Sequence, residues 1–168
     1  MCFLQKLLLC SLVGFLSVLG THGYTSCPDG WIPYGSSCYF FGFDQRLPFM
    51  SAQHLCIQYG ANLVDVGGGR EWNFLNGLLR HFAGSTWWIG LNDLEVEGKF
   101  EWIGLENPPT NNTFTDWAKG SPALANSTSD HDCVFLHPGD YTMTNVGCTS
   151  YFQPICKKSG SGEQPVFG

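Results

Sequence analysis

The chain predicts an α+β domain suited to an oxidising compartment, and three observations carry that reading. Two stretches of helical period come first, a block of short aromatic and β-branched runs follows, and cysteines are spread through both. Helices segregated from strands imply an α+β arrangement rather than a repeating βαβ one.

Residues 1–23 read as a targeting segment. Lys6 precedes an apolar run over 7–19, and Gly20 and Gly23 offer small-residue cleavage points before Tyr24. That run is too short for a bilayer span, so the expectation is a removed signal peptide, a secreted, extracellular protein and no membrane span. Cys2 and Cys10 fall inside the signal, which leaves Cys27, Cys38, Cys56, Cys133, Cys148 and Cys156. An even count in an exported chain argues for a disulfide framework, with a connectivity that spacing alone leaves open. There is no Cys-x-x-Cys pair to suggest structural zinc. Removing Lys6 from the 8 Lys and Arg leaves 7 against 14 Asp and Glu, a net charge of about −7. Such a chain is repelled by nucleic acid and anionic membranes, which disfavours both as partners. The remaining 145 residues or so suit one domain, expected over 24–158, followed by a Gly- and Ser-rich flexible tail over 159–168.

The elements follow in order. "CPDGWIPYGSSCYFF" (27–41) breaks aromatic residues with turn formers, which predicts a hairpin clipped by a local Cys27–Cys38 bridge. Over 51–59, Ala52, Leu55, Cys56 and Tyr59 recur at helical spacing, with Ser51 as N-cap and Gly60 as stop. Over 71–82, Trp72, Leu75, Leu78, Leu79 and Phe82 share one helical face, and Gly84 follows. Both stripes read as core. After Gly84, "STWWIGLND", "KFEWIG", "DCVFLH", "YTMTNVGC" and "FQPICKK" read as strands. Between Gly104 and Cys133 lies a long Asn-, Pro-, Thr- and Ser-rich stretch, the natural place for a ligand.

Together "CPDGW", "SCYFF", a helix carrying Cys56, "GANLVDV", "WWIGLND", "EGKFEW", "DW", "DCV" and "PICK" occur in an order that resembles the long-form C-type lectin-like domain. The resemblance covers residues 27–157, and the opening and "WIGLND" to "EGKFEW" look most like the perlucin-like lectins of molluscs. It implies the pairing Cys27–Cys38, Cys56–Cys156 and Cys133–Cys148, each bridge contributing on the order of 2–4 kcal/mol. It also implies a calcium ion held by a loop triplet and a strand triplet, since calcium takes about 6–8 oxygen ligands and sugar hydroxyls can complete the shell. Here the loop triplet falls on Ser121, Pro122 and Ala123, and the strand triplet on Met143, Thr144 and Asn145. The family's proline is cis, so Pro122 should keep the bend. Ala123 offers no side-chain oxygen, Ser121 a neutral one, and Asn145 an amide in place of a carboxylate, which predicts a degraded sugar-coordinating site. The resemblance further implies a structural calcium on Asp93, Glu97 and Asp132; three carboxylates can seed a hard-cation site, and Asp130 in the loop is a candidate fourth ligand. The same residues also read as a solvated turn, with Asp132 capping backbone amides.

His131, between Asp130 and Asp132, could act as a base or ligand. No G-x-S-x-G or H-E-x-x-H accompanies it, so no enzyme is expected and His131 reads as a hydrogen-bonding loop residue. "ENPP" at 106–109 reads as a turn. Asn111 and Asn126 begin sequons, the second inside the ligand loop. The resemblance therefore implies recognition of glycans or glycoproteins, aided by aromatics such as Phe135 and Tyr141, with calcium possible but not required. A structural role in a calcium carbonate matrix is the alternative, resting on the acidic run Asp93, Glu95, Glu97, Glu101 and Glu106. The sequence leaves the oligomeric state open.

Overall fold

A computed structural model describes residues 25–82, 84–104, 114–122 and 131–162. In chain order its elements are β1 (Thr25–Ser26), β2 (Ile32–Tyr34), β3 (Ser37–Phe41), α1 (Phe49–Gln58), β4 (Asn62–Leu63), α2 (Gly69–Leu79), β5 (Trp87–Asn92), β6 (Glu101–Trp102), β7 (Cys133–Leu136), β8 (Met143–Val146), β9 (Gln153–Ser159) and β10 (Ser161–Gly162). The α+β class, the two helices and the expected strand runs are all present.

The helix boundaries shift. Ser51 is not the cap of α1: Pro48 is, with φ −60° and ψ 155°, and Ser51 lies in the first turn. A proline suits a helix start because its missing N–H would have no intrahelical partner there. Gly60 does stop the helix, its φ of +65° placing it in the region that disfavours a side chain. α2 starts at Gly69, before the expected Glu71, and closes at Leu79, after which the His81 and Phe82 amides reach back to the Leu78 and Leu79 carbonyls in tighter turns. Phe82 still packs against the core with Leu78.

One sheet runs β2-β3-β9-β5-β7-β8, with β4 on β9 and β6 on β5. The pairings are antiparallel except β5 with β9, where Trp87 and Trp88 run parallel to Gln153 and Pro154. The sequence gives no sign of that parallel pair, because a buried strand reads alike in either direction. The sheet divides two apolar clusters. β5 sends Trp87, Ile89 and Leu91 to the cluster that holds Trp72, Leu75 and Leu79 of α2, and Trp88 to the cluster that holds Phe49, Ala52 and Cys56 of α1. Covering on both faces explains why all six residues of β5 are buried and why its run is apolar from Trp87 to Leu91. Gly90 is required within it: an added Cβ would lie 2.9 Å from the Leu63 carbonyl oxygen, and its N–H donates to the Val64 carbonyl at 2.8 Å.

The three disulfides pair Cys27–Cys38, Cys56–Cys156 and Cys133–Cys148. The second ties α1 to β9 across a sequence separation of 100. Beside it, Lys157 Nζ lies 2.7 Å from Glu71 Oε1 and 3.1 Å from Asp65 Oδ2, and Tyr39 donates to the same Glu71 oxygen at 2.7 Å. Burial, together with that carboxylate, drives the Tyr39 hydroxyl well above the usual phenol range. The stretch expected to be loose from 159 is ordered for longer than expected: Ser159 closes β9, and β10 pairs with β1.

Candidate functional site

The described ends of the long loop converge on β8. On one side, residues 116–118 lie along its first residue. The Met143 N–H donates to the Asp116 carbonyl at 2.8 Å, and the Ala118 N–H donates to the Met143 carbonyl at 2.8 Å. Asp116 Oδ2 also accepts the Trp72 indole N–H at 2.7 Å, which joins this strand of loop to α2. Gly120 turns the chain with φ +88°, and the Ser121–Pro122 peptide that follows is cis, as the resemblance implies. Ser121 and Pro122 are half-buried.

On the other side, His131 and Asp132 lead into β7. Two successive carbonyls are held there. His131 O accepts Asn145 Nδ2–H at 3.0 Å, and Asp132 O accepts the Asp93 N–H at 3.0 Å. The Cys133–Cys148 bridge closes the same end of the β7–β8 pair. The His131 side chain is exposed, whereas Asn145 is only 8% exposed.

Met143, at the first position of the expected strand triplet, is fully buried in the core, so it offers nothing to a ligand. Asn145 spends an amide hydrogen on the loop backbone. Ala123 and Asp130 lie outside the described residues, as do the sequons at Asn111 and Asn126 and the acidic Glu106.

Asp93 and Asp132 come together; Glu97 does not join them. Asp93 is 5% exposed, with Oδ2 accepting the Gly98 N–H at 2.8 Å and Oδ1 buried with no hydrogen-bond partner. Burial raises its carboxyl above the ordinary range; the Gly98 amide pulls the other way, and the Asp132 charge adds to the rise. An orphaned carboxylate oxygen that feels the charge of a second carboxylate suits a cation, but calcium needs more oxygens than two side chains supply. Glu95 and Glu97 are exposed, and among the described residues no three His, Cys, Asp or Glu side chains are placed to hold a metal ion.

Two further expectations are corrected. Phe135 and Tyr141 are core residues, not contact residues: Phe135 packs 4.5 Å from the Phe152 ring, and the Tyr141 hydroxyl donates to the Phe82 carbonyl at 3.2 Å. The acidic run is also smaller than it reads, because Asp93 is buried and Glu101 pairs with Lys99. The anchoring role of Asp116 is hardly legible in the sequence. The "DW" dipeptide was its one signal in the sequence, and nothing there points to Trp72 as its partner.

Known proteins match this arrangement over most of its length. The family model for the Lectin C-type domain matches residues 45–158. Human C-type lectin domain family 17, member A is 29% identical over 136 residues, which cover 81% of this chain and 33% of that protein. Mouse C-type mannose receptor 2 is 28% identical over 156 residues, 90% of this chain and 10% of the receptor. The chain therefore spans a third or less of these relatives' length. Among solved structures, the cow carbohydrate-recognition domain of CD23, determined in the presence of a GlcNAc2Man3 oligosaccharide, aligns with a TM-score of 0.69 and 27% identity, covering 82% of this chain and 99% of that one. On the family match and the fold alike, the chain belongs to the C-type lectin domain family.

Proposed function

We propose that this is a secreted recognition module that binds glycans or glycosylated partners through the long-loop end of the domain, without the family's sugar-coordinating calcium. Three disulfides suit export to an oxidising compartment. Carbohydrate is the ligand class because the similar CD23 domain was solved in the presence of an oligosaccharide. The observation that carries the calcium-free part is at the end of the strand triplet: Asn145 donates to the His131 carbonyl instead of offering a carboxylate to an ion.

Binding then rests on hydrogen bonds from groups such as the Ser121 hydroxyl and the exposed His131 imidazole. Hydrogen bonds of that kind at an open surface give weak single-site affinity, which several copies on one surface would multiply. In this reading the role is binding without turnover, because the sequence carries neither G-x-S-x-G nor H-E-x-x-H. A mineral-matrix role has the exposed Glu95 and Glu97 in its favour, and little other charge in that run. Glycan-array binding with and without EGTA is the test. Signals of equal strength in both conditions are expected; signals abolished by chelator would overturn the calcium-free reading, and silence in both would remove glycan recognition.

A further inference from the structure

We infer that Asn145 is the positioning residue for the loop's re-entry into the sheet, and that its amide does this by hydrogen bonding, with no divalent cation required. The inference rests on the reading that the sugar-coordinating calcium position is not kept, and it names what takes the ion's place.

Asn145 is the register partner of Val134, and its side chain reaches past that partner to the carbonyl of His131 at 3.0 Å. At 8% exposure the bond is shielded from water, where a hydrogen bond is stronger and an unmade one more costly. The adjoining Asp132 carbonyl is taken by the N–H of Asp93, the residue that follows β5. Two consecutive carbonyls at the loop's end are therefore pinned to two different segments, β8 and the residue after β5. That fixes both the position and the direction in which the chain enters β7.

Donor chemistry decides between amide and carboxylate. A carbonyl needs a donor, and an amide supplies one, whereas an ionised Asp at 145 could only accept. It would turn a bond into a repulsion and add a negative charge at an end of the sheet where the Asp132 charge already acts on Asp93. An ion gathers carboxylates; this amide gathers a carbonyl. The polarity of the site is thus reversed relative to a calcium-held loop.

Native-state hydrogen exchange on the full secreted chain tests this. The Asp93 amide, bonded to Asp132 O, reports the loop end, and the Val64 amide, bonded to Ile155 O at 2.8 Å, reports the core. Wild type should show the same Asp93 protection, within about twofold, in EGTA and in millimolar calcium. The nearly isosteric Asn145→Asp, and independently Asn145→Ala, should each lose about tenfold of that protection in EGTA with Val64 unchanged, the loss given by one shielded hydrogen bond. A fall in wild-type protection on adding EGTA would show that a cation positions the loop and would overturn the inference. So would Asp93 protection within twofold of wild type in both variants. No glycan enters the measurement, so a silent array would leave this result standing.

Discussion

The centre of the sheet and its loop end treat charge in opposite ways. At the centre, Lys157 meets Glu71 and Asp65 together, and Glu71 also accepts from Tyr39 and the Gly67 amide, so each buried charge there has an opposite partner. At the loop end, Asp93 is buried against another carboxylate, with one oxygen unpartnered. The centre also carries the apolar packing on both faces of β5, while the loop end is held by a few hydrogen bonds and one short-range disulfide. The difference teaches where this fold can vary. Residues that contact a ligand contribute little to stability, so their chemistry can be lost or replaced while the frame stays intact.

The two bridges offer the largest contrast. Replacing Cys56 and Cys156 by Ala opens a loop spanning a separation of 100 residues and should cost about 4–5 kcal/mol in urea unfolding. Replacing Cys133 and Cys148 opens one of only 15 and should cost about 3 kcal/mol while perturbing the loop end more. Equal losses, or a reversed order, would mean that the loop end carries more of the fold than its packing implies. Next in size is Lys157→Met. It keeps the apolar stem but leaves Glu71 and Asp65 without their cation, at side-chain exposures of 14% and 26%. The expected cost is about 2–3 kcal/mol, read from the shift in unfolding midpoint. A cost near zero would show that water already screens the pair.

These regions also differ in how far the sequence reveals them. The β5 run, the stripes of α1 and α2 and the disulfide network are legible because packing imposes a period on residue type and the family's motif order fixes the pairing. The parallel contact of β5 with β9 is not, since Trp87 and Gln153 meet across a gap that no local pattern records. At the loop end, the cis Ser121–Pro122 peptide and the loss of carboxylates follow from the motif. What Asn145 does instead does not, because an amide reads as a missing ligand until its partner, the His131 carbonyl, is seen. Phe135 and Tyr141 mislead for a related reason: aromatic residues near a loop read as contacts, yet β7 is buried on both faces, and the Tyr141 hydroxyl has an interior partner.

The smallest effect tests whether the loop end tolerates its unpaired charge or uses it. Asp93 has a native value above the 3.8 of a free Asp, so the folded state binds that proton more tightly than the unfolded one. The stability this gives is fully present below 3.8 and is lost as pH rises through the raised native value; at neutral pH the ionised carboxylate is a standing cost. Asp93→Asn removes the charge, keeps an oxygen for the Gly98 amide and turns the orphaned position into a donor facing Asp132. In EGTA at pH 7 the variant should be more stable than wild type by up to about 1 kcal/mol, with the advantage gone below pH 3.8. If the variant is instead less stable at pH 7, the carboxylate is held by an attraction that outweighs Asp132. If wild type overtakes the variant only when calcium is added, that attraction is a bound cation, and the loop end uses its charge after all.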